Sequence, residues 1–188
     1  MKNLPNIAPG SLADYANKHN ISVEELLLDV DYIVCIDKSY SMQNEFFDSE
    51  ESVRKTKVRK SNEELIKLQE TLPGKIVVIR FGEKAEVVLE GMLDEKNLDG
   101  GTYLCPALKI IEEYFNEEHI KVFVITDGEF SDSYRIIQTI PKLKPVFHLI
   151  QVGEHKVIKD ENIYGFKSNS SLILDKKISE TILQLTGK

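Results

Sequence analysis

Only two cysteines occur in 188 residues, and they sit in unlike places. Cys35 lies inside an apolar run and Cys105 follows a glycine-containing loop, so neither a disulfide framework nor a zinc site is expected. No apolar run approaches the about 20 residues of a membrane-spanning helix. The opening MKNLPNIAPGSLADYANKHN lacks the apolar core of a signal peptide. A soluble, cytoplasmic protein is therefore expected. Positive charge is also short: 24 Lys and Arg against 31 Asp and Glu leave a net charge of -7. Phosphate binding needs a clustered positive field, so nucleic acid is not an expected partner. There is no internal repeat, low-complexity tract or linker. What is present, 41% hydrophobic and 29% charged residues, is the balance of one globular unit long enough to bury its own core.

Residues 1–30 read as a helical lead-in. Ser11 can cap SLADYANKHN, and Ser22 with Glu25 has capping-box spacing at the start of SVEELLLDV. Two short helices invite comparison with a helix-turn-helix, but Glu24, Glu25 and Asp29 make the second acidic where a DNA reader would be basic. A brace packed on the main domain, residues 31–188, is the expectation. There the chain alternates between strand and helix patterns. YIVCI (32–36) is a short, continuous, β-branched apolar run, as expected of a strand buried on both faces. A helical stretch at roughly 50–72 follows, with Val58, Leu65, Leu68 and Leu72 at helical spacing and Pro73-Gly74 to end it. KIVVIRF (75–81) and AEVVLEG (85–91) are separated by a link too short for a parallel crossover, which predicts an antiparallel hairpin.

Further along, 104–117 reads as a helix, IKVFVIT (120–126) as a strand, and 132–140 as a helix with Asp132 as its cap. VFHLIQV (146–152) reads as a strand, SLIL (171–174) as a weaker edge strand, and the tail from Asp175 as a last helix. This order calls for an α/β fold: a doubly wound, mostly parallel central sheet with one antiparallel edge strand and helices on both faces. The basic cluster Arg54, Lys55, Lys57, Arg59 and Lys60 is read as a solvated helix face with i,i+4 pairs rather than an anion or partner contact.

In such sheets ligands collect beyond the carboxyl ends of strands, at the crevice where strand order reverses. Three groups of polar residues fall there. Asp37-Lys38-Ser39-Tyr40-Ser41 follows the first strand, Gly100-Gly101-Thr102 opens into a helix, and Asp127-Gly128 follows IKVFVIT. Asp37, Ser39, Ser41, Thr102 and Asp127 offer oxygen alone, without sulfur or imidazole. Such a set suits a hard cation, Mg2+ with Mn2+ as the substitute, and not Zn2+. Residues two apart can point into one hollow as a strand turns toward a helix, while Lys38 and Tyr40 point away.

Asp-Lys-Ser-Tyr-Ser, Gly-Gly-Thr leading into a helix, and Ile-Thr-Asp-Gly together resemble the three parts of the metal-ion-dependent adhesion site of the von Willebrand factor A family. The likeness extends over about residues 31 to 186. It implies that Ser39 and Ser41 bind the metal through their hydroxyls, that Thr102 joins them in a ligand-engaged state, and that Asp37 and Asp127 act directly or through water. It also implies a protein partner that completes the coordination with an Asp or Glu carboxylate, and a small adaptor rather than an enzyme. Tyr40 stands where the family usually has glycine.

Two further readings compete with it. A haloacid dehalogenase-like, Mg2+-dependent phosphotransferase needs a second carboxylate two residues after its nucleophile, and position 39 is serine. A metal-free member of the family would keep the motif as a structural scaffold. No motif ties His19, His119, His148 or His155 to a nucleophilic serine, and no Gly-x-Ser-x-Gly elbow is present. Asp94, Glu95 and Asp99 lack the spacing of a calcium-binding loop, so they read as a solvated acidic loop.

Overall fold

The computed structural model describes residues 12–48, 52–72, 75–88, 98–153, 157–166 and 169–173. Its centre is β1 (Tyr32–Asp37), a strand with every residue buried, which explains why its sequence is a continuous apolar run rather than an alternation. Beside it lie β4 (Ile76–Phe81) and β6 (Lys121–Thr126), both parallel to β1. Strand β5 (Ala85–Val88) turns back antiparallel on β4 across the short link, as its length required. On the other side β7 (Val146–Gly153) and the edge strand β8 (Asn169–Ile173) continue in parallel. The order is β5-β4-β1-β6-β7-β8. The chain thus leaves β1 to build one half of the sheet and returns to its other side for the second half. The loops after β1 and β6 diverge there and leave a crevice.

Pleating sends alternate residues of β1 to opposite faces. Ile33 and Cys35 join the cluster that receives Leu12, Ala16, Leu26, Leu108, Ile111 and Ile136. These come from α1 (Leu12–His19), α2 (Val23–Leu27), α4 (Cys105–Tyr114) and α5 (Ser133–Thr139). Val34 and Ile36 join the opposite cluster, with Val58, Leu65, Leu68 and Leu72 of α3 (Lys57–Thr71) and its end. Helices therefore cover both faces, and the amino-terminal pair packs on the same core as the sheet. The capping box at α2 is present: Ser22 Oγ accepts from Glu25 N–H at 3.1 Å, and Glu25 Oε2 accepts from Ser22 N–H at 3.0 Å. Among the described residues no helix is long and apolar enough to cross a membrane.

The expected helix at 50–72 is shorter and preceded by something else. Strands β2 (Glu45–Asp48) and β3 (Val53–Thr56) pair antiparallel as a separate hairpin, and α3 starts only at Lys57. The apolar stripe itself begins at Val58, and ahead of it no residues recur at helical spacing. Thr56 is extended (φ -72, ψ 151) and its hydroxyl accepts from Arg59 N–H, so it closes the strand and caps the helix. The expected last helix, the Ser11 cap, the Pro73-Gly74 stop, Asp94, Glu95 and His155 lie outside the described residues.

Candidate functional site

Asp37 is the last residue of β1, and Asp127 follows the last residue of β6, so the two carboxylates meet across the crevice by strand register alone. Both oxygens of Asp37 are engaged. Oδ1 accepts from Ser39 N–H at 2.8 Å and Oδ2 from the Thr126 hydroxyl at 2.6 Å. Ser39 Oγ and Ser41 Oγ stand 3.0 Å apart, and Ser41 Oγ donates to Asp127 Oδ1 at 2.7 Å. Asp37, Ser39 and Asp127 are buried. Burial pushes the Asp37 carboxyl up to about 6, the hydrogen bonds from Thr126 and Ser39 pull it back, and the charge of Asp127 adds to the rise.

The glycine loop is stitched to the loop after β1. Asp99 N–H donates to Lys38 C=O at 2.8 Å, and Tyr40 N–H to Asp99 C=O at 2.9 Å. The Asp99 carboxylate is half-buried and pairs with Lys38 Nζ at 3.0 Å, so this acidic residue is a clamp and not part of a solvated loop. Lys38, turned away from the hollow, also reaches Glu86 at 3.5 Å. A Cβ on Gly101 would lie 2.3 Å from a ring carbon of Tyr103, so glycine is what lets that ring fold back on the loop.

Thr102 is buried at the end of this loop, and its carbonyl accepts from Ser131 N–H at 2.8 Å. Its hydroxyl stands outside the hydrogen-bonded chain that joins Asp37, Ser39, Ser41 and Asp127. The residue expected to cap α5 acts elsewhere. The Asp132 carboxylate accepts from Leu104 N–H at 3.1 Å, just ahead of α4, and from Cys105 N–H at 2.7 Å, the first amide of the helix. Asp132 precedes α5 without a side-chain cap there. It locks the start of α4, and with it the threonine loop, to the segment after β6.

Lys57 is the residue that sequence reasoning missed. As the first residue of α3 it extends its ammonium to Asp127 Oδ2, 2.5 Å away, with the lysine side chain 15% exposed and the aspartate 2%. Its backbone N–H donates to Asn44 C=O at 3.2 Å, which ties it to the turn that carries Ser41. Its stem passes Gly153 at the end of β7, where φ is +143 and an added Cβ would stand 3.8 Å from Lys57 Cε. The basic cluster is therefore not one solvated face. Lys55 and Lys60 are buried, Lys55 pairs with Glu63 at 2.6 Å, and Arg59 with the same Glu63 at 3.2 Å. Among the described residues, the Arg59–Glu63 and Lys60–Glu64 pairs follow the i,i+4 pattern.

The donor set fits a hard divalent cation in kind, with two carboxylates and hydroxyls in mutual contact. Among the described residues no three His, Cys, Asp or Glu side chains converge, so such a site has to use hydroxyl ligands. Tyr40 and Tyr103, on the loops that carry Ser39, Ser41 and Thr102, are 60% and 41% exposed. Tyr103 also borders a cleft of about 540 Å³ between α4 and α5, lined by Cys105, Lys109, Asp132 and Arg135 among others. The Cys105 thiol there is pushed up to about 12 by burial and by Asp132, which leaves it a poor nucleophile.

No protein-family model and no curated protein sequence matches the chain. Solved structures do. Proximal thread matrix protein 1 from the mussel byssus matches at 18% identity and a TM-score of 0.58, over 84% of this chain and 45% of that one. An aerotolerance-related membrane protein from Bacteroides fragilis matches at 15% identity and a TM-score of 0.47, over 82% of this chain and 85% of that one. The byssus protein shares the fold, and this chain spans less than half of its length. At these identities neither protein speaks to activity.

Proposed function

We propose that the chain is a von Willebrand factor A-like domain, not an enzyme, that captures an acidic side chain of a protein partner through a divalent cation, Mg2+ or Mn2+. The observation that supports this most is the unbroken chain from Asp37 through Ser39 and Ser41 to Asp127 at the crevice. Ser39 and Ser41 would hold the cation through their hydroxyls, Asp37 and Asp127 directly or through water, and Thr102 in the partner-engaged state. The cation supplies an electrophile that neutral hydroxyls leave ready for one more anionic oxygen. Thr126 and the Ser39 amide hold the Asp37 carboxylate in place, so the site is preorganised by groups that are not themselves ligands. Exposed Tyr40 and Tyr103 would line the partner's approach. Position 39 keeps the reading away from phosphotransfer, since a hydroxyl there cannot replace the carboxylate acid that such chemistry uses. A cytoplasmic location belongs to the same proposal.

The test is capture of partners from native lysate with Mg2+, with EDTA, and with Ser41→Ala and Asp127→Ala variants. A partner bound in Mg2+ and lost in the other three is expected. A partner retained equally in all four would overturn the cation-bridged mechanism.

A further inference from the structure

A cation already stands against one carboxylate of this site, and it belongs to the chain. Lys57 Nζ pairs with Asp127 Oδ2 at 2.5 Å, on the oxygen opposite the one that accepts from Ser41. The contact is built rather than incidental. Lys57 is the first residue of α3, fixed by the Thr56 cap and by its own amide on Asn44 C=O. Two buried carboxylates facing each other repel unless a positive charge offsets them. Lys57 supplies that charge from within.

Resting on the cation-site reading above, we infer that Lys57 is a tethered counter-ion that a divalent cation must displace. While the ammonium holds Asp127 Oδ2, it competes with a metal or its water shell for that oxygen and repels the metal's charge. Displacement exchanges a single for a double charge against the same two carboxylates. It sends Lys57, which is already partly open to solvent, out toward water. The metal-free site is thereby kept folded, and its metal affinity is lower than its ligand set alone would give. The Lys57 backbone N–H donates to the C=O of Asn44, the residue just after the 3-10 turn that begins at Tyr40, so the start of α3 stays anchored to the loop that carries Ser39 and Ser41 while the ammonium leaves.

The experiment is a Mn2+ titration, followed by calorimetry and by the electron paramagnetic resonance signal of free Mn2+, on the wild-type chain, Lys57→Met and Ser41→Ala. Methionine keeps the unbranched stem without the charge. Lys57→Gln runs in parallel, because it retains a hydrogen-bond donor should the methionine variant fail to fold. Lys57→Met should bind Mn2+ at least tenfold more tightly than wild type, while melting at a lower temperature in EDTA, a gap that Mn2+ closes. Equal or weaker binding in both Lys57 variants, with Ser41→Ala still impaired, would overturn the tethered counter-ion and leave the cation site standing. No binding to any of the chains would overturn the cation site, and the counter-ion role with it.

Discussion

Charge is carried into the interior at several points, and each time a partner comes with it. Glu64 is fully buried and lies 2.8 Å from Lys67 and 3.7 Å from Lys60. Lys55, 3% exposed, finds Glu63, and Asp127 finds Lys57. Removing one member of such a pair leaves a stranded charge, which costs more than the pair contributes. At His148 the ring is kept uncharged instead. Its ring stacks on Phe123 with centroids 5.1 Å apart, and burial, reinforced by Lys121, lowers its pKa from 6.5 to about 4. The unfolded chain takes up that proton near pH 6.5 and the folded one refuses it until about pH 4. Stability is therefore lost as pH falls through that window. Asp37 works in the opposite sense, because the folded carboxyl takes up its proton first. The diagnostic quantity is the difference between wild type and His148→Leu. Urea unfolding at pH 7, 5.5 and 4.5 (values on the order of the window's span) should show the variant losing less stability on acidification. Parallel losses in both proteins would show that the histidine is not responsible.

At the scale of elements, the ends matter more than the middles. The interiors of β1, β6 and α4 follow from apolar periodicity, and α2 carries its capping box in its own sequence. Helix α4 does not. Its first amides are capped by Asp132, which belongs to the segment after β6 and stands 28 residues from Leu104. No local pattern could announce this, since Asp132 has the spacing to cap its own helix instead. Asp132→Ala should cost about 1 kcal/mol, roughly 2–4 °C in Tm, with Asp132→Asn losing less because one acceptor oxygen remains. Thermal unfolding with both variants at wild-type Tm would remove Asp132 from this role. The β2–β3 hairpin escaped notice for a related reason. Charged residues at Glu45, Asp48, Arg54 and Lys55 mask any alternation, and the strong stripe of α3 extends the helical reading backward past its real start.

Among the described residues the six-stranded sheet carries a core on each face, and β1 feeds both. Ile33 is wholly buried toward α1, α2 and α4, while Ile36 is wholly buried toward α3. Ile33→Ala and Ile36→Ala should each destabilise by roughly 2–5 kcal/mol through the cavities they leave. Because the two faces share one strand, each variant should still unfold in a single denaturant transition, with fluorescence of the tyrosines and far-ultraviolet dichroism coincident. Separate transitions by the two probes would divide the molecule into independently stable layers.

The sequence by itself determined the class of fold and which polar residues stand at the strand ends. Buried parallel strands must be continuous apolar runs, and their ends must turn polar at the crevice, so Asp37, Ser39, Ser41 and Asp127, with Thr102 on the glycine loop between them, could be named as candidates before any contact was known. The short link before Ala85 likewise dictated the antiparallel edge. Only the tertiary structure decided how these groups are held and balanced. Thr126 reaches Asp37 across 89 positions and Lys57 reaches Asp127 across 70. The first contact depends on which strands are neighbours and in what register, the second on where α3 crosses the sheet, and periodicity along one segment carries no information about either. Which lysine of a basic cluster faces the crevice was set by where α3 begins, and that was set by a hairpin with no apolar stripe of its own.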